Sequence, residues 1–511
     1  NVPMANIERI EIIRGPGGSL WGANAVNGVI NIITKSATET QGNYLSLGGG
    51  NYHNAFGTYR FGEIIPEQNL AYRLTLHSSQ TGHFKNSDGT SSPDDISQFR
   101  LSSKVDWEPD AVNKFTFDAG TYSSSAENEI NFRETNNALL QVRENDLDSY
   151  QHYFLTSWER YIDEKNSFHA QAYYDQYKRE EVGRSLKIKT FDLELRYVYE
   201  HSNLQKFTFG GGYRIVVDDI NNSEVTKFIP EKTQRDTYRL FLQDEINLID
   251  NELALILGSK YERNSHTGTE WQPSAKLIWT PNETHTFWGS IARAVRTPSR
   301  ADEDFQNRIR FAGPNELITQ GDRSLESERL ISYELGYRYT PVNRCYSADF
   351  TVFYNDYNHL LGLQNATSGA LITDSEEGFT VGAEAFFSYR VTDQWKLSTS
   401  YSYIDLNITG GTSFLGGTPQ HVTSLKSEYN LTEKISFSQN LYYTDYYTSH
   451  RDEYSNTYKL DIGFKWQVND KLSLSAWGLN LLEPQSLEFA DAQSPASEVP
   501  RSFYIQLEYN F

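Results

Sequence analysis

From residue 41 to the end, apolar and polar residues alternate in one segment after another. A period of two puts successive side chains on opposite faces of a β-strand. In the last segment Phe503, Ile505, Leu507, Tyr509 and Phe511 share one face, and Tyr504, Gln506, Glu508 and Asn510 share the other. Tyr333, Leu335, Tyr337 and Tyr339 likewise oppose Ser332, Glu334 and Arg338. A strand that stops on an aromatic residue reads as the closing strand of a membrane barrel, its greasy face in lipid and its wet face in the lumen.

Composition fits that reading. Mean hydropathy is −0.61, and no apolar run approaches the roughly 18 residues of a membrane helix. A barrel needs apolar side chains only at alternate positions, so its average hydropathy is ordinary. Aromatics make up 14% of the chain, with 34 Tyr, which suits girdles at the two membrane interfaces. The formal net charge of −21 argues against nucleic acid, which wants a basic face. Cys345 is the single cysteine, so no intrachain disulfide forms, and a lone thiol beside a turn reads as inert.

Segmentation gives about 22 strands, the first near 42–50 and the last near 501–511, an even number as a closed bacterial barrel requires. Long links at 81–96, 125–148, 219–234, 295–327, 359–376 and 483–500 alternate with short turns such as Glu108-Pro109-Asp110 and Asn469-Asp470. That asymmetry predicts an all-β, 22-stranded antiparallel transmembrane barrel of the outer-membrane type, with both chain ends on the short-turn, periplasmic side. A lumen so wide stands open unless something fills it.

Residues 1–40 offer the filler. Ile7–Arg14 and Asn27–Thr34 read as two short strands, joined by a turn through Gly15, Pro16, Gly17 and Gly22. No Gly-Lys-Ser/Thr follows these glycines, so a phosphate cradle does not fit. The segment Ile7–Lys35, with Gly15, Pro16, Gly17, Gly22, Asn27 and Gly28, resembles the end of the plug domain of TonB-dependent outer-membrane receptors. Ala292–Ser299, Leu325–Arg338, Gly378–Glu384 and the terminal Phe511 extend the resemblance along the chain in family order.

The resemblance implies a division into the C-terminal part of a plug (1–40) and a transmembrane barrel (41–511). It also implies active uptake of a scarce ligand by a monomer in outer-membrane lipid. The TonB–ExbB–ExbD complex would drive it through a TonB box that, with the first half of the plug, is expected ahead of Asn1. No covalent chemistry is implied, and no nucleophile elbow points to an enzyme. A ferric siderophore leads because it dominates the family; cobalamin, another metal chelate or an oligosaccharide is the alternative, and a passive porin or adhesin ranks below. Haem receptors of the family carry a His in the loop matching 295–327, and none is present here.

Candidate sites follow. Arg14, read as opening a buried turn, is expected to pair with Glu334, Glu384 or both and to dock the plug on the wall; the plainer alternative leaves each facing lumen water. Loop 295–327 supplies Arg296, Arg300, Arg308, Arg310, Phe305 and Phe311 as ligand-binding candidates, with Arg323 beside them and six acidic residues offsetting the charge. Asp88, Asp94 and Asp95 offer oxygen ligands for a structural calcium in an outer loop. Their spacing is not that of an EF-hand, and a solvated acidic loop is the plainer reading. No other cofactor is expected.

Overall fold

The computed structural model describes residues 2–86, 89–133, 140–181, 184–223, 226–310, 316–366, 369–409, 418–449, 452–454, 456–487 and 497–511. Among them, twenty-two antiparallel strands close a barrel. The first wall strand, Gly42–Gly50, pairs with the last, Ser502–Asn510, with Leu47 opposite Leu507. Asn43 and Phe511 exchange both backbone hydrogen bonds at 3.0 Å and fasten the seam. Closure leaves no strand edge unpaired in lipid, where each unmet N–H or C=O is costly.

The period of two explains which way the strands face. On Lys232–Ile249, Tyr238, Leu240 and Leu242 are exposed outward, while Arg239 and Phe241 between them are buried toward the lumen. On Leu70–Thr81, Leu74 and Leu76 face out and Arg73 and Thr75 face in. An 11-residue strand such as Ala55–Ile65 is ~37 Å long at ~3.4 Å per residue, and a ~45° tilt brings it to ~26 Å of height, enough for the apolar band. Trp107, Phe115 and Trp158 stack in turn at 5.3 and 6.0 Å, and Phe168 meets Trp158 edge-on at 5.5 Å, beside the short turns. Tyr213–Tyr238 and Tyr333–Tyr354 mark the other rim.

Two expected loops are largely strand, and a third is partly so. Segment 125–148 continues Asn113–Arg133 and Leu140–Tyr161 as one long hairpin, and 359–376 continues Tyr346–Ala366 and Gly369–Thr392. Loop 295–327 holds a short helix, Arg300–Asp304, and the strands Phe305–Arg310 and Glu316–Gln320. Above the bilayer both faces of a strand are wet, so the ladder continues while the alternation that reveals it disappears.

Inside the barrel lies a separate two-stranded sheet, Ile7–Arg14 against Gly28–Thr34. The helical turn Gly18–Trp21 stands at its tip.

Candidate functional site

The hairpin is gripped at its base and at its tip. At the base, lumen-facing cations take backbone carbonyls. Arg60 donates to Ala5 O at 2.9 Å, Arg73 to Lys35 O at 3.0 Å, and Lys104 to Lys35 O at 3.2 Å and to Thr34 Oγ1 at 3.1 Å. Ala37 N–H donates to Asp106 Oδ2 at 2.6 Å. Each buried charge is thereby met by a polar atom of the hairpin's entry or exit, as a charge away from bulk water requires.

At the tip, the strand Leu253–Asn264 and its neighbours supply the grip. Lys260, 2% exposed, donates to Leu20 O at 2.8 Å. Glu262, 5% exposed, accepts from Ala23 N–H at 2.6 Å and from Gln272 Nε2 at 2.7 Å. Ser274 meets Ser19 hydroxyl to hydroxyl at 2.8 Å. Asn24, held at φ +75°, donates its N–H to Val295 O at 2.8 Å and accepts from Thr297 N–H at 3.0 Å. Gly22 has φ +89°, and a Cβ there would stand 2.7 Å from Glu262 Oε1. The position therefore demands glycine for conformation and for space. Gly17 accepts from Trp21 N–H at 2.9 Å to close the turn.

Between these grips lies Arg14. Its guanidinium meets Glu384 at 2.5 Å and Asp349 at 3.7 Å. Glu334 takes no bond from it: this carboxylate accepts from Ser290 Oγ at 3.2 Å and packs where a Cβ on Gly15 would collide with it. The expected burial of Arg14 is corrected, since its side chain is 51% exposed. The reason is a lumen cavity of about 940 Å³ running along the hairpin's flank. Arg14, Gly15, Pro16, Asn27 and Gly28 line one side of it. Trp288, Phe353 and Leu406 line the other, from Thr286 and Arg338 near the short turns to Leu360 at the long-loop ends.

The loop residues divide between two places. Arg296 lines the cavity, paired with Glu328 at 2.8 Å and Asp302 at 3.3 Å. Arg300 and Phe305 do not line it. Their loop folds back as a clasp on neighbouring loops. Arg300 binds Asp218 at 3.2 Å, Pro230 O at 2.5 Å and Asp304, and Phe305 packs edge-on to Phe228 at 5.7 Å. Arg323 holds Asp304, and Arg235 holds Glu303 at 2.6 Å. Ser299 caps the short helix reciprocally with Asp302. Burial pushes the Glu303 carboxyl up to about 7, against the pull of Arg235. Phe311 and Asp88 lie outside the described residues, as do the side chains of Arg308 and Arg310.

Asp94 and Asp95 do not converge. Asp94 accepts from Phe84 N–H at 2.7 Å, and Asp95 stands 3.9 Å from His83 Nδ1. Among the described residues no group of three or more His, Cys, Asp or Glu side chains is placed to hold a metal ion.

A closed 22-stranded wall around a gripped plug hairpin has counterparts. The family described as "TonB dependent receptor-like, beta-barrel" matches residues 34–481, and "TonB-dependent Receptor Plug Domain" matches residues 1–29. The chain belongs to the TonB-dependent receptors. An iron-regulated outer membrane virulence protein of Vibrio cholerae is 23% identical to this receptor over 96% of this chain and 78% of its own. The ferric enterobactin receptor of Pseudomonas aeruginosa is 22% identical over 100% of this chain and 81% of its own. The siderophore receptor PirA from Acinetobacter baumannii superposes with a TM-score of 0.81, covering 100% of this chain and 86% of PirA, at 16% identity, which establishes a shared fold. This receptor is accordingly a barrel of the outer-membrane type.

The tip grip of Lys260, Glu262 and Gln272 escaped the sequence reading. Its one signal was that all three fall on inward positions of alternating strands, where a charge needs a partner. Nothing in the spacing named that partner, which lies 240 residues away for Lys260.

Proposed function

We propose that the receptor takes up a ferric siderophore across the outer membrane, as an active transporter rather than an enzyme. The observation that carries this reading is the plug hairpin held inside a closed wall by polar contacts beside a ligand-sized cavity. Such contacts are reversible. Hydrogen bonds to backbone atoms and ion pairs can be exchanged for water when the hairpin is drawn away, whereas an apolar interface would resist wetting. Ligand binding from the long-loop side favours the plugged state, and the TonB–ExbB–ExbD complex supplies the work that reverses it. The hairpin, residues 1–40, acts as the moving part and residues 41–511 as the wall, with both chain ends on the periplasmic, short-turn face of a monomer.

Iron is favoured because the Vibrio cholerae relative is named as iron-regulated and the Pseudomonas aeruginosa relative as a ferric enterobactin receptor. Trp288 in the cavity wall provides the readout. Titrating the full-length receptor in nanodiscs with ferric siderophores, cobalamin and haem should quench tryptophan emission with a ferric siderophore alone. Saturable quenching by cobalamin or haem alone would keep the receptor and discard the siderophore.

A further inference from the structure

Two neighbouring wall strands, Asn166–Glu181 and Arg184–Ser202, carry lysines on the face that elsewhere meets lipid. On the second strand Phe191, Leu193 and Leu195 are exposed outward, and Asp192 between them is buried toward the lumen. The two strands pair without a bulge from Glu181 and Arg184 down to Asn166 and Tyr199, so Lys187 and Lys189 share the outer face with Phe191. On the first strand Tyr174 is exposed outward, and Lys178 follows four residues on along the same face.

Their height is that of a headgroup. Phe168 belongs to the aromatic group beside the short turns, and Lys178 comes ten residues later. Ten residues of strand cover ~34 Å, or ~24 Å of height at a ~45° tilt, which matches the ~25 Å apolar band. Lys187 stands directly opposite Lys178 in the ladder, and Lys189 stands opposite Gln176. All three lysines are thus rooted at the upper edge of the hydrocarbon, just above the facing rings of Tyr174 and Phe191.

The cluster is short of negative charge. Lys178 meets Glu180 at 2.6 Å, in a pair with side chains 43% and 48% exposed. Asp219, opposite Lys187 on the next strand, is held instead by Lys232 at 2.9 Å. Among the described residues Lys187 and Lys189 make no ion pair. Like charges directly opposite on one face of a sheet repel, and an anion shared between them offsets that cost. A single rim lysine merely lifts its ammonium into water, but this rim is not basic all round. Ten residues on from Tyr346 and Trp395, which lie beside short turns, the outward positions are Asp356 and Asp405.

We propose that Lys178, Lys187 and Lys189 bind the phosphorylated headgroup of an outer-leaflet lipid, whose acyl chains lie on Tyr174, Phe191 and Leu193 below. The site is separate from the lumen and from the cargo, and of the reading above it needs only that the long loops face outward. Phosphate is the fitting group, because its several acceptor oxygens can be shared among ammoniums converging from two strands. A lipid adds what free phosphate lacks, apolar chains for the exposed rings.

The test is native mass spectrometry of the full-length receptor in uncharged detergent. Its probes are bis-phosphorylated lipid A, the same glycolipid stripped of phosphate, and inorganic phosphate. Each lysine beside an anionic headgroup contributes about fivefold in affinity, so Lys187→Gln with Lys189→Gln should weaken lipid A binding about twentyfold. Lys187→Arg with Lys189→Arg should retain it, and Asp356→Asn with Asp405→Asn should leave it unchanged. Equal binding of the phosphate-free glycolipid, or full lipid A binding by the glutamine variant, would overturn the proposal. Inorganic phosphate binding as tightly as lipid A would overturn the assignment to a lipid.

Discussion

Replacing Glu262 with Ala should loosen the plug tip far more than replacing Arg14 with Ala, although Arg14 makes the more conspicuous ion pair. Arg14 and Glu384 have side chains 51% and 25% exposed. At such exposure an ion pair contributes about 0–1 kcal/mol, and less as salt rises. Glu262 is 5% exposed and satisfies two donors, Ala23 N–H at 2.6 Å and Gln272 Nε2 at 2.7 Å. A hydrogen bond to a charged group contributes about 1.5–3 kcal/mol, and losing the carboxylate also removes one of the two carboxylates, with Glu194, that compensate the buried Lys260. The expected loss is about 3–5 kcal/mol, which corresponds to at least about a hundredfold change in an opening equilibrium. Native-state amide hydrogen exchange at Gly18–Ala25 in nanodiscs reads that equilibrium directly. Glu262→Gln, which keeps an acceptor for Ala23 N–H, should fall in between. Faster exchange at these amides in Arg14→Ala than in Glu262→Ala would refute the reasoning, because it would place the main grip at the exposed pair.

Three further outcomes follow from the geometry. Glu303 has a folded pKa raised to about 7 from an ordinary 4.5, so the folded loop keeps a proton that the unfolded chain releases; its stabilisation is full below about pH 4.5 and lost as pH rises through about 7. Exchange protection at Arg300–Asp304 should therefore be lower at about pH 8 than at about pH 6, and Glu303→Gln should flatten the difference. Gly22→Val, at φ +89° and 2.7 Å from Glu262 Oε1, should destabilise the tip more than Gly268→Ala affects its own turn. Gly268 has a similar φ of +79° with nothing within 4 Å, so strain acts there without a clash. Oxidising a Ser19→Cys, Ser274→Cys pair in a Cys345→Ser background should tether the tip to the wall, since the two hydroxyls lie 2.8 Å apart. Uptake should fall on oxidation and return with reductant; unchanged uptake through a formed disulfide would show that this corner need not move.

The barrel was legible because lipid imposes a rule that each strand obeys locally. Tyr333, Leu335 and Tyr337 must alternate with Ser332, Glu334 and Arg338 wherever one face is in a bilayer and the other in water. That rule lapses at Glu127–Asp146, where the hairpin rises past the bilayer and pairing continues without an apolar face. The plug's glycines were legible as a motif, and the structure gives Gly22 its reason in the Glu262 carboxylate beside it. The exposure of Arg14 was not legible, because it depends on a cavity formed by strands hundreds of residues away. Arg300 and Arg296 looked alike in sequence, four residues apart, and were separated only by the helix turn that carries Arg300 into the clasp. Inward-facing polarity can be read from a strand, whereas its partner is set by closure of the whole wall.

The central claim is that uptake depends on drawing the gripped hairpin aside, and energised transport tests it most directly. Cells relying on the full-length receptor would be given the radioiron-labelled ferric siderophore that quenches its tryptophan emission, with TonB intact or deleted. The account predicts saturable accumulation with TonB and surface binding without accumulation when it is absent. Equal accumulation in both strains would contradict it, because iron would then be crossing a barrel whose plug had not been moved.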